Sequence, residues 1–418
     1  MRVLIVSAVY PPEPVVSART SSDLADEAVR RGHEVTVVAP YPSRPGGRLY
    51  EGFRQRLMSR CSDPRGYRLV RCFVTPSNES TLLSRFRENV VFGLTSSLAT
   101  LRQPRPDVIY SNSWPIFATG MVHAIARLRR VPMVVHVKDL HPESIVIQGR
   151  LGAKSRLART LLAVDRWIAR GCRHVVVLTK GFERAYVEDR GIPASRVHVV
   201  PDWCEAQSPA GDEDARAYRA QKGIPEDAFV LAYGGNIGVA AGLEPALEAV
   251  QPMGNDPRLR VLIAGDGSQL QACKERATAY PEGVVVFESP WPAENTALTL
   301  RAASLLFLPT LGKQSLASVP SKLLNYTMSA RPILAQALPE SELAQIVRES
   351  GCGWVVAPDD PEALAAALRE AMALEPRRLE AMGEAGRGYA LGHYSRDVCV
   401  QRVVDLIEQA ALSKEEVS

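Results

Sequence analysis

Two short segments of the chain place glycines beside polar residues directly after apolar runs that read as buried strands. Gly234, Gly235 and Asn236 follow one such run, and Asp266 stands between two glycines after another. Glycine lets a backbone approach a ligand closely, and the amino end of a following helix favours phosphate. Both segments therefore predict contact with a phosphorylated ligand, although either could also be a plain turn between a strand and a helix.

A lysine opens a predicted helix further along the chain. Pro320 suits the first turn of a helix, where its missing N–H costs little. Lys322 lies in that turn, where the helix dipole disfavours a cation, and a bound anion would remove the penalty. Ser321 and Asn325 are four residues apart and share one helical face. The segment indicates a second contact to an anionic ligand; the alternative is an ordinary exposed lysine.

Ionisable side chains cluster after the predicted strand 132–137. His136, Asp139 and Glu143 lie at or just beyond its carboxyl end, where the active sites of α/β folds form. His136 and Asp139 could hydrogen-bond a sugar or an acceptor. A zinc site is not expected, because no second cluster supplies further ligands. The alternative is that Asp139 caps the next helix while Glu143 is solvated.

The loop after the first predicted strand carries three further candidates. Glu13 follows two prolines, Ser17 is placed to cap the helix that begins near Ala18, and Arg19 could meet an anion. All three would lie at the same edge of the sheet as the 136–143 cluster. A proline-stiffened loop without a ligand is the alternative interpretation.

The elements that must position these residues alternate between strand and helix in two series. Residues 1–202 form the first and residues 203–394 the second, separated by a polar stretch that starts near 202. This alternation predicts two Rossmann-like, doubly wound α/β domains facing a cleft. A final helix, about 395–413, is predicted to pack back on the first domain.

Taken in order, the motifs resemble those of the family 4 retaining glycosyltransferases, which have the GT-B fold. The closer resemblance is to the branch that contains colanic-acid and fucosamine transferases of bacterial surface polysaccharides. The motifs are PPEP at 11–14, RGHEVTVV at 31–38, DLHPES at 139–144, GGNIG at 234–238, AGDGS at 264–268, VPSKLLNY at 319–326 and ARPIL at 330–334.

The resemblance implies a nucleotide diphosphate sugar, UDP-linked by preference, bound mainly to the second domain, and an acceptor bound to the first. It implies transfer with retention, commonly without a metal or other cofactor. The implied catalytic residues are His136, Asp139 and Lys322. The implied donor-binding residues are Gly234, Gly235, Asn236, Asp266, Pro290, Ser321, Lys322 and Asn325, and the implied acceptor-binding residues are Glu13, Ser17, Arg19 and Glu143.

The chain departs from the family pattern at several of these positions. Many relatives carry two glutamates eight residues apart where this chain has Ala317 and Asn325. Many also carry an arginine and a lysine where this chain has Asn236 and Ala241. The phosphate charge would then rest on Lys322, with Lys313 as a possible helper, and the donor sugar stays open.

Charge is distributed unevenly and predicts an anionic partner for the first half. Residues 1–200 carry 31 Lys and Arg against 16 Asp and Glu, whereas the rest of the chain carries 19 against 30. The segment 81–105, preceded by six arginines between 54 and 71, predicts a helix that lies on an anionic membrane, or else packs on the sheet. Its apolar stripe consists of Leu82, Leu83, Phe86, Val90 and Leu94.

These features predict a cytoplasmic enzyme that is peripheral on the inner face of the membrane. The seven cysteines cannot all pair, which favours a reducing compartment. The expected acceptor is linked to a polyprenyl diphosphate, and nucleic acid is not expected, because aromatics are only 6% of residues and do not alternate with basic ones. The alternatives are a nucleotide-sugar 2-epimerase, a soluble transferase with a small acceptor, and a non-catalytic sugar-nucleotide binder.

Overall fold

The computed structural model describes residues 1–44, 46–76, 82–112, 115–147, 151–152, 155–203, 208–312, 315, 319–320, 322–358 and 360–412. The chain divides into two compact units. The first comprises Met1–Asp202 together with the carboxyl-terminal segment from Arg396, and the second comprises Trp203–Ser395. Each unit has its own sheet and its own apolar core.

The first unit is built on an eight-stranded sheet in the order β3-β4-β2-β1-β5-β6-β7-β8. All neighbouring strands are parallel except β3 and β4. The strands are β1 Arg2–Val6, β2 Glu34–Pro40, β3 Met58–Ser62, β4 Arg68–Cys72, β5 Val108–Asn112, β6 Met133–Val137, β7 His174–Val177 and β8 Val197–Val199. The sequence analysis missed β3, because this edge strand is largely exposed and carries no apolar pattern.

Helices cover the first sheet on both faces. On one side α2 packs on α3 and α3 packs on α5; on the other, the carboxyl-terminal helix α15 packs on α1 and on strands β5 to β7. Ion pairs from Arg31 to Asp405 and Glu408 fix α15, which confirms that the last helix returns to the first unit. The helices are α1 Val16–Arg30, α2 Leu82–Arg102, α3 Ile116–Leu128, α4 Glu143–Ile147, α5 Arg156–Gly171, α6 Lys180–Arg184 and α15 Arg396–Leu412.

The second unit has a six-stranded parallel sheet in the order β11-β10-β9-β12-β13-β14. This is the strand order of a doubly wound dinucleotide-binding sheet. The chain adds strands outward from β9 to one edge and then from β12 to the other, so the topological switch point lies between β9 and β12. The strands are β9 Phe229–Gly234, β10 Leu259–Ala264, β11 Val285–Glu288, β12 Leu305–Leu308, β13 Ile333–Gln336 and β14 Gly353–Val356. Two Rossmann-like units are therefore confirmed.

The helices of the second unit begin earlier than the sequence suggests. The polar stretch expected to be a linker contains α7, because Ala215 and Tyr218 on one face of that helix are buried. The helices are α7 Asp212–Gln221, α8 Leu243–Val250, α9 Leu270–Ala277, α10 Thr296–Arg301, α11 Lys322–Met328, α12 Glu342–Ser350, α13 Pro361–Ala373 and α14 Pro376–Tyr394.

Candidate active site

Two glycine turns pack against each other at the carboxyl ends of β9 and β10. The Gly235 N–H donates to the Ala264 carbonyl at 2.9 Å, and the Ile237 N–H donates to the Asp266 carbonyl at 2.8 Å. Gly265 has a φ of 144°, and a Cβ there would lie 1.9 Å from the Gly235 carbonyl oxygen. Only glycine allows this approach. The two predicted phosphate segments thus form a single structure.

Lys322, the first residue of α11, reaches into this structure. Its Nζ donates to the Tyr233 hydroxyl and lies 4.4 Å from the centre of the Tyr233 ring. A Cβ on Gly235 would lie 2.2 Å from Lys322 Cε, so the turn leaves room for the lysine. Burial lowers the pKa of Lys322 to about 8. No carboxylate pairs with it in the described part of the chain, so an arriving anion would find an uncompensated cation.

The polar side chains of the two turns are exposed around Lys322. Asn236 lies beside Gly267, since a Cβ on that glycine would be 2.8 Å from the Asn236 Oδ1. The Asp266 carboxylate accepts a hydrogen bond from the Gly267 N–H at 2.7 Å. Asn325 lies about one turn along α11 and is exposed. Ser321, Lys313 and Ala317 lie outside the described residues.

A third segment at the same edge of the sheet follows β11. Pro290 is exposed, and the neighbouring Trp291 packs against Gly234, where a Cβ would lie 2.8 Å from the Trp291 Cη2. Trp291 is held by a 3.0 Å hydrogen bond from its Nε1 to Thr299. The structure therefore brings the predicted donor residues that it describes to one end of the second sheet.

Glu288, which the sequence analysis did not single out, supports this segment from inside. Burial raises its pKa, but hydrogen bonds from Tyr218 and Asn295 and the Lys222 ammonium at 3.1 Å outweigh that effect, so the pKa lies below its usual range. Its position at the end of an apolar strand was the available signal. We assign it a structural role, because its oxygens are already engaged.

In the first unit, His136 is enclosed rather than presented to a ligand. The side chain is 0% exposed, and its Nδ1 lies 2.8 Å from the Tyr110 hydroxyl. Burial, reinforced by Lys138, holds the pKa of His136 well below its usual value, so the ring is neutral. The expectation that His136 contacts the transferred sugar directly is corrected: the histidine belongs to the strand interior of β6.

Asp139 lies on the loop after β6 and is partly exposed. Burial raises the pKa of its carboxyl above the usual value, although the nearby His141 opposes this. The His141 ring is 6% exposed, and neither of its nitrogens has a hydrogen-bond partner within the described ranges. Asp139 therefore remains a candidate ligand contact of this loop.

Glu143, whose side chain is 37% exposed, pairs with a buried arginine. Both of its carboxylate oxygens accept from Arg190 Nη2, at 3.0 and 3.1 Å. Arg190 is fully buried, also donates to the His141 carbonyl at 3.0 Å, and pairs with Asp165 of α5. Tyr186 donates to Asp165 at 2.8 Å. Glu143 therefore helps to hold the loop in place, and its predicted role as an acceptor contact stays a prediction.

Of the three candidates in the first loop, Glu13 has another role and Ser17 does not form the predicted cap. Glu13 is 4% exposed and accepts hydrogen bonds from the N–H groups of Tyr10, Ser43 and Arg44 at 3.2, 2.8 and 2.9 Å, so it ties two loops together instead of meeting an acceptor. Ser17 lies inside α1 and does not cap it. Arg19 is exposed on α1.

Comparison with known proteins identifies the family of this chain. Residues 17–203 match the model of the glycosyl transferase 4-like domain, and residues 214–389 match that of the glycosyl transferases group 1. The chain belongs to the family 4 glycosyltransferases of the GT-B type.

Similar sequences carry names of the same class. The glycosyltransferase is 24% identical over 384 residues to the Escherichia coli protein named for colanic acid biosynthesis, WcaI, covering 90% of this chain and 93% of that one. It is 27% identical over 336 residues to the Pseudomonas aeruginosa protein WbjE, also named as a glycosyltransferase, covering 79% and 82%.

Solved structures share the fold of the glycosyltransferase. Anabaena Alr3699/HepE, in complex with UDP, matches with a TM-score of 0.68 at 14% identity, over 98% of this chain and all of that one. WaaG, a glycosyltransferase involved in lipopolysaccharide biosynthesis, matches with a TM-score of 0.65 at 18% identity, over 97% and 99%. The family favours a transferase over the epimerase that the sequence left open.

Two findings concern the metal and membrane expectations. No group of three or more His, Cys, Asp or Glu side chains is placed to hold a metal ion among the described residues of the glycosyltransferase. Within the same ranges, none of its helices combines the length and the apolar character that crossing a membrane requires. Metal independence stays a prediction for experiment.

Proposed function

We propose that this glycosyltransferase takes its sugar from a nucleotide diphosphate sugar, UDP-linked by preference, that binds at the glycine turns of the second unit. The observation that carries the proposal is Lys322, a largely buried cation with a lowered pKa and no carboxylate partner in the described chain. Gly235 and Gly265 have no side chain, so a ligand near Lys322 would meet the backbone of the two turns. Structures related by fold were solved with UDP and with UDP-glucose, which supports the same ligand class.

Lys322 would stabilise charge on the leaving diphosphate. An ammonium group held by its surroundings needs little rearrangement as negative charge develops, and such electrostatic stabilisation is usually the largest contribution to catalysis. Exposed Asn236 would add a hydrogen bond to the phosphates, Asn325 would contact the ribose, and the segment around Asp266 and Pro290 would border the base. In the first unit, Asp139 would face the transferred sugar, and Arg19 would meet the acceptor.

The acceptor in this proposal is a glycan linked to polyprenyl diphosphate, and the product is a surface polysaccharide assembled with retention of configuration. The name of WcaI places that relative in colanic acid biosynthesis, which supports a polysaccharide product here. The basic balance of residues 1–200 suits a diphosphate carrier and an anionic leaflet. The enzyme would work on the cytoplasmic face of the membrane as a peripheral protein.

A donor panel tests the proposal. UDP-, GDP- and dTDP-sugars are added to the wild type, Lys322→Ala and Lys274→Ala, the last being an exposed lysine of α9 in the same unit. Thermal stabilisation reports binding, and nucleotide release with and without a bacterial lipid extract reports transfer. We expect one nucleotide class to stabilise the wild type and Lys274→Ala, with release that needs lipid.

Three outcomes separate the alternatives. Loss of a charged hydrogen bond costs about 1.5–3 kcal/mol, so Lys322→Ala should weaken donor binding roughly tenfold or more. Binding without release under any condition would favour a non-catalytic sugar-nucleotide binder. Release that is independent of lipid but dependent on a small sugar would favour a soluble acceptor. If no donor binds, the proposal is wrong.

A further inference from the structure

The side of α5 that faces solvent carries an arginine-rich surface that the proposed reaction does not use. We name it the α5 surface and define it by Arg127 of α3 and by Arg156, Arg159, Trp167 and Arg170 of α5. These residues line two adjoining shallow depressions with volumes of about 550 and 510 Å³, which share Arg159 and Trp167. The α5 positions recur at helical spacing, so they lie along one face.

The positive charge of the α5 surface is not compensated. None of its four arginines forms an ion pair with any described residue, and no carboxylate among the described residues lines either depression. Asp165, the acidic residue of α5, is buried on the other face with Arg190. The neighbouring Arg166 is bound to the carbonyls of Asp189 and Arg190. Four unpaired guanidinium groups attract a multiply anionic partner.

Large apolar side chains accompany these charges. Trp167 is 41% exposed, with its ring edge-on to His123 at 4.7 Å. Leu157 and Leu128, which follow Arg156 and Arg127 in the sequence, are 46% and 74% exposed but do not line the depressions. Tryptophan favours the boundary between lipid headgroups and acyl chains, and arginine can lay its stem on apolar surface while its head reaches phosphate. Charge combined with exposed apolar groups on a shallow face fits a bilayer better than a single small anion.

The helix that the sequence analysis favoured for membrane contact, α2, also carries exposed apolar side chains. On α2, Phe86, Leu94 and Leu101 are exposed, although the Phe86 ring packs edge-on against Phe117 at 5.3 Å. The side chains of Leu82 and Leu83 are not described. Among the arginines that precede α2, Arg71 is buried and donates to the Pro40 carbonyl. What distinguishes α5 is that its arginines and Trp167 line the same two depressions, so we place the contact there and use α2 as the comparison.

We infer that the α5 surface docks the glycosyltransferase onto an anionic lipid bilayer. The arginines bind headgroup phosphates, and Trp167 enters the headgroup region. The inference rests on the proposed function to the extent that a lipid-linked acceptor requires a bilayer. It involves none of the residues assigned to the donor, so the two can fail separately.

Sedimentation with phosphatidylcholine vesicles, with and without phosphatidylglycerol, tests the docking. Arg156→Gln/Arg159→Gln/Arg170→Gln is compared with Arg216→Gln/Arg377→Gln/Arg378→Gln, which removes the same charge from exposed positions of the second unit. Each basic residue near an anionic leaflet contributes about fivefold to partitioning, so the α5 variant should bind roughly a hundredfold more weakly than the wild type. The control should bind within a few-fold of the wild type, and phosphatidylcholine alone should bind neither.

Two further variants locate the contact. Trp167→Ala should weaken vesicle binding and reduce the blue shift of the intrinsic fluorescence, whereas Phe86→Ser/Leu94→Ser on α2 should change neither. If the α2 variant abolishes binding and the α5 variant does not, the docking surface is not on α5. Equal losses in the α5 variant and its charge-matched control would reduce the effect to net charge and overturn the inference.

The same proteins are tested for donor binding and for binding to a single-stranded oligonucleotide. Normal donor stabilisation without vesicle binding by the wild type would refute the docking and leave the proposed function standing. Vesicle binding without any donor binding would refute the proposed function and leave the docking standing. An oligonucleotide that binds the α5 surface more tightly than vesicles do would also overturn the inference.

Discussion

The glycine turns of the second unit and the 139–144 loop of the first both follow parallel strands, but they use charge in opposite ways. At the turns, Lys322 has a hydroxyl and an aromatic ring as neighbours and no described counter-ion. At the loop, Glu143 and Asp165 close on the fully buried Arg190. Uncompensated charge is available to a ligand, whereas compensated charge fixes the shape of the chain. An ionisable residue after a strand is therefore not by itself a ligand contact.

The largest effect should come from opening the compensated cluster. Arg190→Met would leave Asp165 and Glu143 without their cation, and breaking a buried pair from one side costs about 3–5 kcal/mol. We expect the midpoint temperature of the first unfolding transition, monitored by circular dichroism, to fall markedly. Arg173→Met, an exposed arginine of the same unit, should stay close to the wild type. Unchanged stability in Arg190→Met would mean that the cluster does not hold the loop.

Filling the space between the glycine turns should have the next largest effect. In Gly265→Ala, the new Cβ would meet the Gly235 carbonyl, and the φ of 144° is disfavoured for alanine. Backbone strain of this kind costs about 1–3 kcal/mol. We expect lower stability and lost donor binding by calorimetry. Gly388→Ala, on open helix α14, should be neutral or slightly stabilising. Retained donor affinity in Gly265→Ala would contradict the site.

Glu13 offers a smaller test that separates structure from acceptor binding. Glu13→Gln would turn an N–H toward backbone donors that the carboxylate now accepts, at a cost of about 1–3 kcal/mol. We expect reduced thermal stability with an unchanged acceptor KM. Full stability together with a raised acceptor KM would restore Glu13 to the acceptor site.

The smallest expected effect concerns metals. The resemblance predicts transfer without a metal ion, so extensive treatment with EDTA should leave the rate of nucleotide release unchanged. Dialysed enzyme supplemented with Mg²⁺ or Mn²⁺ serves as the comparison. A rate that falls on chelation and returns with one ion would show that the site needs a metal.

The meeting of the two glycine turns at one edge of the sheet was predictable from sequence because its signals are local. Each glycine turn directly follows a buried apolar run, and the carboxyl ends of parallel strands meet at one edge. The roles of the candidate residues in the first unit depend on partners that are distant in the chain. Glu13 binds the backbone of residues 43 and 44, and Glu143 binds Arg190, so neither role can be seen in the motif itself. Asp165 did leave a signal, since it occupies the apolar face of α5.

The enclosure of His136 could also have been anticipated. The histidine interrupts a run of valines in β6, a central strand with neighbours on both sides, and such strands are buried on both faces. The position of Lys322 over Tyr233 could not, because it joins residues 89 positions apart through the packing of α11 on the glycine turn.

The central claim is that the unpaired ammonium of Lys322 binds the diphosphate of the donor. Proton uptake on donor binding tests this claim. Burial lowers its pKa to about 8, and a bound diphosphate would raise that pKa toward the ordinary value. Above pH 8, binding must therefore take up a proton, and donor affinity must fall as the pH rises. Titration calorimetry at about pH 9, in buffers of different ionisation enthalpy, measures this uptake directly. We predict uptake approaching one proton in the wild type and in Lys274→Ala, and none in Lys322→Met. Donor binding without proton uptake and with pH-independent affinity would contradict the account.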